Sequence, residues 1–334
     1  MTDYKGIKGF KIQSVSSDPS NLTKGQIWYN STSAVVRGRA IGVGAWSAGA
    51  AINNSRAWGG AAGTTGTTAM YFGGNENPTP PYNTTIETEQ YNGTSWAEVA
   101  DLNTARQQIA GFGTQADAMA VGGQTVTGEI NSSEHWNGTS WTTTNNLGSE
   151  RRGMGAAGHA TSSAAVVWGG WDKGPALASA KTETFDGTNW SEANDLSVST
   201  YGSGGAGTES AALSIYTYGP PSSGVCNRWD GTSWTTDGGT LNNSRNLGTQ
   251  HGGTQTSALY AGGSGASVTA DTEVYDGTSW TEVANLSTLR YGLGGAAANS
   301  TAALAFGGTQ DGPREDATEE WNVPDLTTVT VTTS

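Results

Sequence analysis

Short apolar runs of strand length alternate with polar turns through most of the chain, and the order of the runs repeats. In the last copy, residues 291–298 are mainly Gly, Ala and Leu, which suits an innermost strand crowded by others around one axis. Residues 301–306 form a short apolar strand ended by Gly307-Gly308, then a polar loop leads to a third strand at residues 317–321. In full copies an Asn-Gly or Asp-Gly pair next reverses the chain, and a fourth strand follows, as at residues 279–283. The pair predicts a type I′ turn, whose two central positions both need positive φ. The turn is the clearest mark. It reads aromatic, Asn or Asp, Gly, Thr, Ser or Asn, Trp, beginning at Tyr91, Trp136, Phe185, Trp229 and Tyr275, with a shortened sixth copy at Trp321.

These copies lie 44 to 49 residues apart. A four-stranded unit of that length cannot bury its own faces, so neighbouring units must stack, and an outward-meandering unit is one propeller blade. The diglycine marks recur at Gly73-Gly74, Gly122-Gly123, Gly169-Gly170, Gly262-Gly263 and Gly307-Gly308, while Tyr218-Gly219-Pro220-Pro221 stands in the fourth copy. The expected fold is therefore all-β: a six-bladed propeller with four-stranded antiparallel blades. Its ends also fit together. Trp46 precedes Arg56 by ten residues, as Trp96 precedes Arg106, Trp141 precedes Arg151 and Trp280 precedes Arg290. The chain thus enters at an outermost strand, residues 42–49, and leaves at a third strand, residues 317–321. Pairing the two would complete the last blade and leave no exposed seam. Residues 1–37 form an N-terminal arm, residues 38–323 the propeller, and residues 324–334 a tail whose Thr/Val alternation at 327–332 reads as a strand.

Composition narrows the picture. Fifty Gly, 13 Trp and 11 Tyr against 13% charged residues describe sheets and turns, because a disordered chain is poor in large aromatics. A net charge of −13 with no basic run argues against nucleic acid as a partner. Cys226 is the single cysteine, so no internal disulfide is available, and the default for such a thiol is a buried structural one. No apolar stretch reaches the roughly 18 residues of a membrane span, and residues 1–11 lack the apolar core of a secretory signal.

Candidate chemistry falls into two groups. Arg56, Arg106, Arg151, Arg245 and Arg290 recur in frame, with Thr200 in the fourth copy, and Glu89, Glu134, Glu183, Glu273 and Glu319 recur two residues before the aromatic. A ring of arginines can grip carboxylates, but a repeated Arg with a repeated Glu reads first as scaffold. So do Trp46, Trp96, Trp141, Trp190, Trp234 and Trp280. The second group sits where the copies disagree, in the loops 75–85, 124–131, 171–180, 220–224, 264–270 and 309–314. Variable loops on a rigid frame are where recognition resides, and Tyr82, Trp171 and Tyr218 are extra aromatics there, suited to stacking on sugar rings or capping blade edges. His135, His159 and His251 hold unrelated positions, so neither a metal site nor a cofactor is expected.

In order, the inner strand, diglycine, aromatic, turn, tryptophan and arginine resemble the kelch repeat of β-propellers over residues 40–323. The Asp/Asn-Gly-Thr-Ser-Trp wording, with openings at residues 4–8 and 25–30, is similar to kelch-like virion proteins of tailed phages that infect marine cyanobacteria. That resemblance implies a non-enzymatic structural protein of the virion, tail-associated or fibre-like, assembled in the host and released by lysis, and oligomeric in the particle. Lys5, Lys8, Lys11 and Lys24 give the arm a basic character, and the arm is expected to anchor the chain to other virion subunits while the loop face contacts host polysaccharide. Two alternatives stand beside this: a glycosidase-like enzyme with a central pocket of non-repeated acids, and a purely architectural subunit. The Asp186-Gly187-Thr188 turn lacks the spacer of sialidase turns, and the His, Tyr and Cys set of galactose oxidase is absent.

Overall fold

The computed structural model describes residues 12–19, 26–40, 43–76, 83–158, 161–173, 178–216, 224–250, 252–324 and 327–330. Every regular element among them is a strand. The chain divides into two compact units, Ala45–Asn322 on one hand, and Met1–Gly44 with Val323–Ser334 on the other.

The larger unit holds six four-stranded antiparallel sheets. The first runs Gly60–Ala62, Ala69–Phe72, Thr88–Tyr91 and Trp96–Glu98. The next four repeat that order, with inner strands at Ala110–Thr114, Gly155–Ala157, Gly204–Thr208 and Gly253–Thr254. The sixth takes Gly294–Asn299, Ala302–Phe306 and Thr318–Asn322, and its fourth strand is Ala45–Ala48. Glu319, Glu320, Trp321 and Asn322 pair with Ala48, Ser47, Trp46 and Ala45.

Glycine and alanine dominate the inner strands because these strands touch edge to edge. A Cβ on Gly205 would lie 2.0 Å from the Ala156 carbonyl oxygen of the preceding sheet. Outside that zone, larger side chains interleave between successive sheets. Met70 and Phe72 pack with Ile109, Trp136 and Trp141, and Tyr71 and Tyr91 pack with Leu304 and Phe306. Tryptophan indoles tie most sheets to the one before: Trp141 donates to Thr88 Oγ1 (3.2 Å), Trp234 to Thr182 (2.9 Å), Trp46 to Thr272 (3.0 Å) and Trp96 to Thr318 (2.9 Å). In the fourth sheet Cys226 takes the threonine position, and Trp280 donates instead to the Gly238 carbonyl (3.2 Å). Burial pushes the Cys226 thiol up to about 12.

The reversing turns correct the type I′ expectation. Of each Asn/Asp-Gly pair only the glycine has positive φ, 91° at Gly93 and 94° at Gly277. The following Thr and Ser supply the reason. Asn92 Oδ1 accepts from the amides of Thr94 and Ser95, both at 2.9 Å, and Asn137, Asp186, Asp230 and Asp276 repeat the arrangement. The side chain closes a four-residue loop, and the flanking aromatics meet across it, as Tyr275 and Trp280 do at 5.0 Å.

The smaller unit has one four-stranded sheet: Gln13–Val15, Ile27–Asn30, Val35–Ala40 and Thr327–Thr330, in that spatial order. The first pair is parallel and the others antiparallel. The C-terminal Thr/Val segment thus joins the sheet of the N-terminal segment. Asp18 organises the sheet, accepting from Asn30 Nδ2 and Trp28 Nε1 at 2.9 Å each and pairing with Arg37, contacts that hold its carboxyl below the ordinary range.

Candidate functional site: the face around the left-handed residues

The recurrent arginines all lie inside their sheets. Arg106 meets Glu134 at 2.8 Å, Arg151 meets Glu183 at 2.5 Å, Arg245 meets Glu273 at 2.5 Å, Arg290 meets Glu319 at 2.9 Å, and Arg56 pairs with Glu89. Each arginine is essentially inaccessible. The guanidiniums also donate to main-chain carbonyls, as Arg290 does to Ala317 O (2.7 Å). The second carboxylate oxygen accepts a backbone amide from the incoming connection: Asn53, Asn103, Gly148, Asn242 and Ser287. Such a pair fastens the connection to the third strand and presents no charge to a ligand. Burial brings Arg106 down to about 10, and Glu134 opposes that shift. In the fourth sheet Thr200 and Asn227 occupy the Arg and Glu positions together, and Tyr216 stands where the others carry the first diglycine residue. The sequence had suggested Tyr218-Gly219 for that place. Tyr216 donates its hydroxyl to Ser199 O at 2.9 Å.

Two residues beyond each buried Arg or Thr comes a residue in the left-handed region. These are Trp58 (φ 59°), Gln108 (54°), Gly153 (61°), Gly202 (71°), Leu247 (58°) and Gly292 (66°). Their main chains form a head-to-tail circuit of six hydrogen bonds. Gln108 donates to Trp58, Gly153 to Gln108, Gly202 to Gly153, Leu247 to Gly202, Gly292 to Leu247, and Trp58 to Gly292, at 2.6–2.9 Å. Glycine adopts this conformation without penalty, whereas Trp, Gln and Leu are held there at a cost of order 1 kcal/mol. The three glycines also make room for neighbours. A Cβ on Gly292 would lie 2.5 Å from Trp58 Nε1, and one on Gly202 would lie 2.5 Å from Leu247 Cδ2.

Within the circuit is an open depression of ≈ 360 Å³, mouth included, of which ≈ 30 Å³ admits the centres of water-sized groups. None of its lining residues is ionisable: Trp58, Gln108, Ile109, Gly153, Met154, Gly202, Ser203, Leu247, Gly248, Gln250, Gly292 and Leu293. Gln250 forms part of this lining. Where other inner strands carry Ala61, Gly111, Ala156, Gly205 and Gly295, its carboxamide reaches the first sheet, donating to Gly59 O (2.7 Å) and accepting from Ala61 N (3.1 Å).

Blade-specific side chains gather beside it. The Arg152 guanidinium lies 5.5 Å from the Trp171 ring and 5.8 Å from Tyr201, and these two rings meet edge to face at 5.5 Å. Arg152 also donates to Gln108 Oε1 (2.8 Å) and meets Glu129 at 3.0 Å, and Gln108 donates to the Tyr201 hydroxyl (2.7 Å). A second group joins Trp58 to Tyr291, edge to face at 5.9 Å. Arg314 covers the Trp58 ring at 4.5 Å and donates to Asn75 Oδ1 at 2.7 Å. Burial and a hydrogen bond with Asp311 push the Tyr291 hydroxyl up to about 12.

Of the three aromatics singled out in the sequence, Trp171 belongs to this cluster, and Tyr82 and Tyr218 lie outside the described residues. Sequence reasoning missed Trp58, Arg152, Tyr201, Gln250 and Tyr291. One signal was available: at the left-handed position glycine alternates with Trp, Gln and Leu, and such a position is not ordinary strand.

A Ser-His-Asp grouping elsewhere does not form a nucleophilic relay. His135 Nε2 meets both Asp117 Oδ1 (2.6 Å) and Ser162 Oγ (3.1 Å), whereas a relay needs acid and hydroxyl on opposite ring nitrogens. Among the described residues no cluster of three or more His, Cys, Asp and Glu side chains is arranged to hold a metal, and no helix is long and apolar enough to cross a membrane.

No protein-family model and no curated protein sequence matches the chain. A solved structure, titled "Structure of YjhT", is similar with a TM-score of 0.66 at 15% identity, covering 86% of this chain and 100% of that one. At that identity the likeness concerns the fold. The chain is an all-β protein of propeller-like construction, built from four-stranded antiparallel sheets.

Proposed function

We propose that this chain is a non-enzymatic binding scaffold: a closed, six-bladed, kelch-like propeller that presents the face around Trp58, Arg152, Trp171 and Tyr201 to a glycan or protein partner. Two features support closure. The hydrogen-bond circuit from Trp58 returns to Trp58, and the indole of Trp96 in the first sheet reaches Thr318 in the sixth. The observation that carries the binding reading is the gathering of non-repeated aromatic and Arg side chains on one face of an otherwise repetitive frame. A depression lined without a carboxylate or histidine favours binding over hydrolysis, which needs a pair of acids. By its resemblance to kelch-like virion proteins, the chain is proposed as a tail- or fibre-associated component of a tailed phage. In that reading residues 1–37 anchor it to other virion subunits, and the face meets host-surface polysaccharide.

The test is twofold. Proteomics of purified particles should find the chain, and residues 1–37 should be required for its incorporation. The purified protein should bind host cells, and a Trp171→Ala/Tyr201→Ala variant that retains its fold should lose at least tenfold in that binding. Normal incorporation without residues 1–37, or undiminished cell binding by the face variant, would overturn the corresponding half.

A further inference from the structure

Two buried donors at the depression have no partner among the described residues: the Ser203 hydroxyl, on a residue only 7% exposed, and the Trp58 indole N–H. Buried polar atoms are almost always hydrogen-bonded, so two orphans lining one open hollow mark a place where an acceptor belongs. The remaining lining sets the kind of acceptor. Ile109, Met154, Leu247 and Leu293 supply aliphatic walls. An anion seated against them would lose its hydration with no cation in the lining to replace it. A neutral sugar has the matching character, with C–H faces and hydroxyls on one small body, and sugar sites combine apolar walls with a few fixed polar groups.

From this geometry we infer that the depression is a seat for one hydroxyl or hydroxymethyl arm of a neutral hexopyranose, whose oxygen accepts from the Ser203 hydroxyl and the Trp58 indole N–H, with the sugar ring remaining at the mouth. The free space, ≈ 30 Å³ on the scale of water centres, admits such an arm and not a whole ring. Gln250 bounds the seat while both ends of its carboxamide are engaged with the first sheet. This inference rests on the binding reading above and specifies the sugar class that the face takes.

The experiment uses the full chain labelled with ¹⁵N-tryptophan, the Trp58 indole resonance being assigned by its loss in Trp58→Phe. Methyl α-D-glucopyranoside, methyl α-D-galactopyranoside and methyl α-D-mannopyranoside are titrated, with sodium D-glucuronate as the anionic arm. The expected result is a saturable shift of the Trp58 indole with at least one neutral glycoside, weaker binding of glucuronate, and an affinity about tenfold lower in Ser203→Ala. The other indole resonances report whether that variant keeps its fold, and Ser203→Gly serves in its place if they move. An unmoved Trp58 resonance with all three glycosides would overturn the inference and leave the orphans to water. Tighter binding of glucuronate, or an unchanged affinity without the hydroxyl, would overturn it as well. The two readings separate cleanly: loss of cell binding in the face variant with an unmoved Trp58 retains the face and rejects the seat, and the reverse pattern does the opposite.

Discussion

Trp46 stands directly opposite Trp321, ring centroids 5.5 Å apart, in the one sheet whose strands come from both ends of the repeat array. Every other sheet makes its aromatic pair across a single reversing turn, as Trp136 and Trp141 do at 5.6 Å. The sixth has no such turn, and Trp46 supplies the missing ring. Its indole also reaches Thr272 in the fifth sheet.

Trp46→Ala should therefore destabilise the whole larger unit by about 2–4 kcal/mol, below the usual loss for a fully buried tryptophan because Trp46 is half-buried. Thermal unfolding followed by near-UV dichroism measures this. A single transition at lower temperature is expected; an unchanged Tm would mean that the Ala45–Ala48 strand contributes nothing.

The fourth sheet suggests a second experiment, since it lacks both members of the ion pair that the others bury. Arg106→Thr should cost about 3–5 kcal/mol, because Glu134 is left as a buried charge without its partner. Adding Glu134→Asn, which recreates the Thr200/Asn227 combination, should recover a substantial part of that loss. Denaturant unfolding of the single and double variants decides the matter, and a fully additive double mutant would contradict it.

These pairs also show what the sequence reveals and what it hides. Arg and Glu recur in the same frame because five of the six sheets use the same internal fastening, so period alone exposes them. The strand Ala45–Ala48 was legible through the spacing of Trp46 and Arg56. The candidate site is written differently. Arg152, Tyr201 and Tyr291 each follow a scaffold position by one residue and look like part of the frame, and only the left-handed backbone beyond them turns that stretch toward the depression. Trp171 stood out because it interrupts a repeat. Gln250 did not, since a single carboxamide just ahead of the short inner strand Gly253–Thr254 gives no hint that its partners lie in the first sheet.

The acid limb of stability should depend on three turns. Asp186, Asp230 and Asp276 have carboxyls held below their ordinary 3.8 chiefly by backbone amides of the residues that close each turn. A carboxyl depressed on folding contributes stability that is present above the unfolded value, near 4, and is lost as pH falls through the folded one. Replacing all three with Asn, as Asn92 and Asn137 already are, should flatten the dependence of Tm on pH between about 5 and 2 and change little at pH 7. A triple variant with an unaltered acid slope would rule these turns out as its source.

Closure by the two ends of the array is tested most directly by a cysteine pair at Ser47 and Glu320, which face each other in register. Opposed residues in an antiparallel pair have Cα atoms about 4.5–5.5 Å apart, within disulfide reach, and the native Cys226 is too buried to interfere. Mild oxidation of Ser47→Cys/Glu320→Cys should give a monomer bridged within one chain, with altered gel mobility under non-reducing conditions and a higher Tm than its reduced form. Failure to bridge, or bridging only between molecules, would contradict a ring sealed at Trp46 and Trp321.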